Sequence, residues 1–203
     1  PTDPAIGLGG TQDNGTQLYT NAGGAQAWDG VNGGDGGVPA FDPLDASASY
    51  TSSQFLDLYR TNLPETYYAV PITGCGKGAP YELSDRCTYS TNFIAPMLVD
   101  QTGRMLAGGT SLWKTDNPRA AITASTGPVW ASIKGPLADP YGGRISAIAV
   151  APGAANVVWV GHNNGDVYMT TTGTAPAPAW TRVDTSAPGL PDRAVASIAI
   201  DPF

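Results

Sequence analysis

Ile145-Ser146-Ala147-Ile148-Ala149-Val150-Ala151-Pro152 returns further along the chain as Val195-Ala196-Ser197-Ile198-Ala199-Ile200-Asp201-Pro202. Apolar stretches of the same kind, with a period-two component and a closing turn, stand at Ala95-Pro96-Met97-Leu98-Val99-Asp100 and Val38-Pro39-Ala40-Phe41-Asp42-Pro43. The intervals are 58 positions from Asp42 to Asp100, 51 from there to Ala151 and 50 more to Asp201. Alternation points to strands, and a near-fixed interval of about fifty residues points to stacked structural repeats.

Each stretch is followed by further strand-like runs. They are Tyr50-Thr51-Ser52 with Leu56 to Arg60, Met105 to Gly108 with Ser111 to Lys114, and Val157 to Gly161 with Asp166 to Met169. A fourth run carries a tryptophan at Trp28, Trp130 and Trp180, and Tyr67-Tyr68-Ala69-Val70 in the second repeat. Four strands in fifty residues describe a β-propeller blade, with small apolar side chains at its crowded inner edge. A β-sandwich has equally short strands but does not account for an internal repeat.

The expected fold is therefore all-β, a propeller segment of about four four-stranded antiparallel blades. Residues 1–203 form one such segment, with blades near 1–37 plus 194–203, 38–91, 92–143 and 144–193. The first of these starts at a second strand (Ile6 to Gly10, then Gln17 to Thr20, then Ala27-Trp28), and Val195 to Ile200 supplies a first strand. Those pieces either close a small ring or belong to an arc of a larger propeller, and the arc is the expected case because four blades is the low extreme.

Composition supports many short strands. Charged residues are 13% of the 203, with 26 Gly and 18 Pro, about half the usual charge and an excess of turn formers. Five Trp and nine Tyr argue against disorder. A net charge of −7 without a Lys or Arg cluster excludes a nucleic-acid partner, and no apolar run approaches the length of a membrane span. Cys75 and Cys87 are the two cysteines, and His162, the one histidine, is distant from them in sequence. A zinc site needs more ligands than that. A Cys75–Cys87 disulfide is expected over two free thiols, which fits a secreted, extracellular or periplasmic location.

Several segments resemble the sialidase-like or BNR (Asp-box) repeat proteins, a group that includes two-propeller xyloglucanases and sortilin-type ectodomains. They are Gly9-Gly10-Thr11-Gln12-Asp13-Asn14-Gly15-Thr16, Gly33-Gly34-Asp35-Gly36-Gly37, Asn92-Phe93-Ile94-Ala95-Pro96 and Leu190-Pro191-Asp192-Arg193. The resemblance spans nearly the whole chain and implies a propeller, with glycoside hydrolysis as one activity. The Asp-box itself is degraded. Thr20 to Gly24 before Trp28 and Thr171-Thr172-Gly173 before Trp180 lack its Asp, and Pro118 replaces its Gly after Thr115-Asp116-Asn117.

Strand alternation sends the loops between second and third strands, and those between blades, to one rim. That rim carries Thr11 to Thr16, Asn32 to Gly37, Cys75 to Cys87, Lys134 to Arg144, His162 to Asp166 and Asp184 to Arg193. Function concentrates in such loops. Asp13 and Asp35 are the candidate catalytic carboxylates, since a glycosidase needs a pair at defined separation. The competing reading makes them turn residues: Asp-Asn-Gly favours a tight hairpin, and Asp35 between glycines caps amides. It is the weightier of the two. Calcium is a further option through Asp13, Asn14 and Asp35, without any calcium-loop spacing; no other cofactor or metal is expected. Asn14, His162 and Asp166 are candidate binding residues of that rim, with His162 expected to face solvent in its loop. Tyr81, Tyr89 and Tyr141 are candidates to stack on a sugar or anchor a partner, or else to pack the loops down. The arginines are scattered, which argues against a sialidase's three-arginine cluster.

The expected function is binding of a glycan or extracellular protein through the loop-rich face, with no catalysis. The alternatives are a glycoside hydrolase of the xyloglucanase-like type and a structural subunit of an extracellular assembly joined through exposed sheet edges.

Overall fold

The computed structural model describes residues 5–63, 69–75, 81–185 and 189–201. Among these, the first sheet holds β1 (Ile6–Thr11), β2 (Gly15–Thr20) and β3 (Trp28–Asn32). The second holds β4 (Ala40–Phe41), β5 (Ala48–Ser52), β6 (Leu58–Asn62) and β7 (Val70–Pro71). The third holds β8 (Met97–Val99), β9 (Met105–Gly108), β10 (Leu112–Thr115) and β11 (Ala131–Lys134). The fourth holds β12 (Ile145–Ala151), β13 (Ala154–His162), β14 (Val167–Thr170) and β15 (Thr181–Arg182). Every sheet is an antiparallel meander in chain order. Among the described residues one short α-helix, α1 (Ser84–Cys87), interrupts them.

The sheets stack face to face as blades, and alternation along a strand explains how. Met105 and Ala107 on β9 enter a core with Tyr50, Leu58, Ile72 and Met97. Leu106, between them, points the other way into a core with Leu112, Ile145, Val158 and Val160. Because successive side chains on a strand leave by opposite faces, one strand serves two cores. A strand in a sheet covered on both sides is enclosed on both faces, which is why every residue of β5 is buried. At the inner edge β4 lies against β8, and β12 against β8 and β9. The chain is an all-β propeller.

Three details differ from the sequence reading. Leu56 belongs to a 3-10 turn over Gln54–Leu56, and the strand begins at Leu58. In the second repeat the fourth strand is Val70–Pro71, while Tyr67 and Tyr68 lie outside the described residues, as do Gly76 to Pro80. Residues 195–200 adopt no strand. Val195 rests on the fourth sheet, its N–H donating to the His162 carbonyl and its own carbonyl accepting from Ser146 Oγ.

Candidate functional site

The loops joining second to third strands meet the loops between sheets along one rim. Gly36 N donates to Thr11 O, Phe55 N to Phe93 O, Thr110 N to Ser90 O and Asn163 N to Arg144 O. The side chains of Asn92 and Asn163 also bond each other across that rim.

A cleft of about 510 Å³ opens there, lined by Gln54, Phe55, Asp57, Cys75, Arg86, Cys87, Tyr89 and Phe93. One wall comes from the β5–β6 connection, where Ser53 N donates to Asp57 O and closes a tight loop. The rest comes from the connection between the second and third sheets. That connection is fastened at α1, where buried Asp85 accepts from Ser111 N and Trp113 Nε1 of the third sheet. It is fastened again by the Cys75–Cys87 disulfide, whose Cα atoms are 5.3 Å apart.

The cleft presents three aromatic rings. Phe55 meets Tyr89 edge to face at 5.2 Å and Phe93 at 5.3 Å. Tyr89 is 64% exposed and Phe93 50% exposed, which is unusual for rings that touch each other. Among the described residues of the lining, Arg86 is the one cation and Asp57 the one anion. Arg86 donates to Asp57 Oδ1 from Nε at 3.1 Å and from Nη2 at 2.7 Å, and its Nη1 points at Cys75 Sγ. Asp57 Oδ2 accepts from the Tyr59 hydroxyl at 2.8 Å; burial first, and then that bond, push the Tyr59 phenol up to about 12. A guanidinium has five N–H donors, so Arg86 retains some for a ligand while its charge is balanced.

Asp13 and Asp35 do come together, in a structural manner. Asp35 Oδ1 accepts from the backbone N–H of Asp13 at 2.7 Å, and Oδ2 accepts from Gln54 Nε2 at 2.7 Å. Asp35 thus ties the β1–β2 turn to the edge of the cleft. Asp13 sits at φ 63° in that turn, and Gly15 at φ 71°. Asn14 is exposed, with Nδ2 on Gln12 O. Among the described residues no group of three or more His, Cys, Asp or Glu is placed to hold a metal ion.

Of the aromatic candidates, Tyr89 lines the cleft. Tyr81 is half-buried against the core between the second and third sheets. Tyr141 stands out from the rim with the Arg144 guanidinium 5.2 Å from its ring. Asp166 pairs with Arg182 at 2.6 Å.

His162 corrects the expectation of a solvent-facing residue: its side chain is fully buried. β13 extends to His162, so the residue belongs to a strand between packed sheets rather than to the turn. Its Nδ1 lies 2.7 Å from Gly143 O, which fixes the proton on Nδ1 because a carbonyl only accepts. Its Nε2 is buried with no partner among the described residues. Burial, then neighbouring Lys134, hold the imidazole down at about 4. Lys134 is itself lowered to about 8 by burial, and its ammonium sits 4.3 Å above the Tyr168 ring.

Gln54, Phe55, Asp57, Arg86 and Phe93 were not singled out from the sequence. Phe93 lies in a segment quoted for the family resemblance, and Arg86 lies inside the cysteine loop; those were the available signals.

No family model matches the chain, and no curated protein does. Among solved structures, the crystal structure of an ancestral GH74 enzyme superposes with a TM-score of 0.62 at 17% identity, covering 94% of this chain. The chain spans 25% of that enzyme's length. At this identity the likeness concerns the fold. Among the described residues no helix is long and apolar enough to cross a membrane.

Proposed function

We propose that this propeller binds a neutral glycan in the cleft at Phe55, Tyr89 and Phe93, outside the cytosol and without catalysis. The observation that carries the reading is the three-ring wall, with Tyr89 and Phe93 exposed and Phe55 half-buried between them, beside a balanced Arg86–Asp57 pair. Sugar rings have apolar C–H faces that stack on aromatic rings, while spare guanidinium N–H groups donate to sugar hydroxyl oxygens. The Arg86 charge is already balanced by Asp57, so it gives no preference for an acidic sugar. The disulfide supports an oxidising compartment. Against catalysis, both oxygens of Asp35 are occupied and Asp57 is held by Arg86 and Tyr59.

Retention on a panel of immobilised neutral and acidic glycans tests the reading. Binding to neutral members, lost in Tyr89→Ala and Phe93→Ala, is the expected result; no retention on any member ends it. The second reading, glycoside hydrolysis involving Asp13 or Asp35, draws on the likeness to the ancestral GH74 enzyme. It requires reducing-end release from β-glucans that disappears in Asp13→Ala or Asp35→Ala.

A further inference from the structure

Four non-glycine residues among those described have positive φ: Asp13, Phe55, Leu56 and Tyr89. Two of them line the cleft, and Leu56 is the neighbour of Phe55. Phe55 is at φ 55°, ψ 42° and Leu56 follows at φ 62°. For a side chain bearing a Cβ this left-handed region is disfavoured, because Cβ crowds the following carbonyl. Asn, Asp and Gly tolerate it. The corresponding connections of the first and fourth sheets use such residues: Asp13 and Gly15 in one, Gly165 at φ 90° in the other. The second sheet alone places a phenylalanine there.

Leu56 has a core reason for its place. It is fully buried, and its carbonyl accepts from Thr73 Oγ at 2.9 Å. Phe55 has no comparable reason, since its ring stands at the rim against two exposed rings. From this we infer that Phe55 is the positioning residue of the cleft: the chain tolerates a strained backbone at 55 to stand this ring between Tyr89 and Phe93. Its perpendicular contacts hold both neighbours upright, so that their faces are presented to a ligand rather than collapsed onto each other. Its N–H, donating to Phe93 O, locks the two loops in register. The ligand class rests on the glycan reading above; the strain at residue 55 does not.

The experiment compares Phe55→Gly, Phe55→Ala and Phe55→Tyr by thermal melting and by calorimetric titration with cellohexaose. Both Gly and Ala remove the ring, but only Gly relieves the backbone. Phe55→Gly is therefore expected to melt about 3–6 °C above Phe55→Ala, the reverse of the usual order in regular structure. Both are expected to bind cellohexaose at least tenfold more weakly than the unmodified protein, with Phe55→Tyr restoring binding. If Ala melts at or above Gly, or if binding survives loss of the ring, the inference falls. No binding by the unmodified protein would overturn the positioning role for cellohexaose; the glycan panel would still decide the glycan reading, and the Gly-over-Ala order would still support the strained position.

Discussion

The indole N–H of Trp130 donates to the carbonyl of Ile72 at 2.9 Å, so the outer strand of the third sheet is fastened to the second. Trp180 repeats the bond one sheet on, donating to Ile133 at 2.8 Å. The fifty-residue recurrence of tryptophan thus has a physical cause: each ring fills the gap between neighbouring blades, and its single polar atom satisfies a carbonyl there. Trp130→Phe keeps most of the ring and leaves that carbonyl unpaired. The expected loss is about 1–3 kcal/mol, read as a lower midpoint in urea with an unchanged slope.

Acid stability should depend on His162. Its folded-state value near 4 lies below the 6.5 of an ordinary imidazole. Between those limits the unfolded chain takes a proton that the folded protein refuses. The stability contributed by the neutral ring is therefore complete above pH 6.5 and lost as pH falls toward 4. The loss amounts to about 3 kcal/mol at most. His162→Gln should flatten this part of the pH–stability curve, measured against the unmodified protein so that carboxylate titration cancels.

Lys134 gives a test of opposite character. Its ammonium is buried, and its value is lowered to about 8. At neutral pH the folded protein therefore carries a charge it would be more stable without, only partly offset by the Tyr168 ring. Lys134→Met should stabilise by about 1–3 kcal/mol at pH 7. The advantage should shrink as pH rises from 8 to above 10, where the unmodified lysine is neutral in both states. A destabilised variant at pH 7 would contradict this.

Much of the blade pattern was open to reading because alternation and spacing follow from burial on two faces. Met105-Leu106-Ala107 announces its two cores by residue type alone, and the tryptophans mark their strands. The cleft was less legible. Phe55 gives no sign in sequence of a left-handed backbone, since no local chemistry favours it there; surrounding packing imposes it. His162 was misplaced for a related reason. Gly161-His162-Asn163-Asn164-Gly165 reads as a turn, but the ladder continues through Gly161 paired with Val167, and His162 N still donates to Asp166 O.

Asp35→Ala separates the structural role of that residue from the catalytic one. It removes the acceptors of Asp13 N and Gln54 Nε2 together. The expected result is a stability loss of about 1–3 kcal/mol with weakened glycan retention, because Gln54 borders the cleft. Asp35→Asn should keep part of both, since an amide oxygen still accepts one bond.

Opening the Cys75–Cys87 bridge, which spans 12 positions, should cost about 3 kcal/mol in the chain-entropy description. Cys75→Ser with Cys87→Ser tests this without a reductant. A midpoint unchanged from the unmodified protein would show that α1 and Asp85 anchor the connection unaided.

The double duty of β9 has a mechanical result. With Met105 and Ala107 in one interior and Leu106 in the next, losing either neighbouring sheet strips an entire face of this strand. Proteolytic nicking that releases the fourth sheet should therefore hasten digestion of the third. Melting should run from blade to blade like a zipper instead of leaving intact islands.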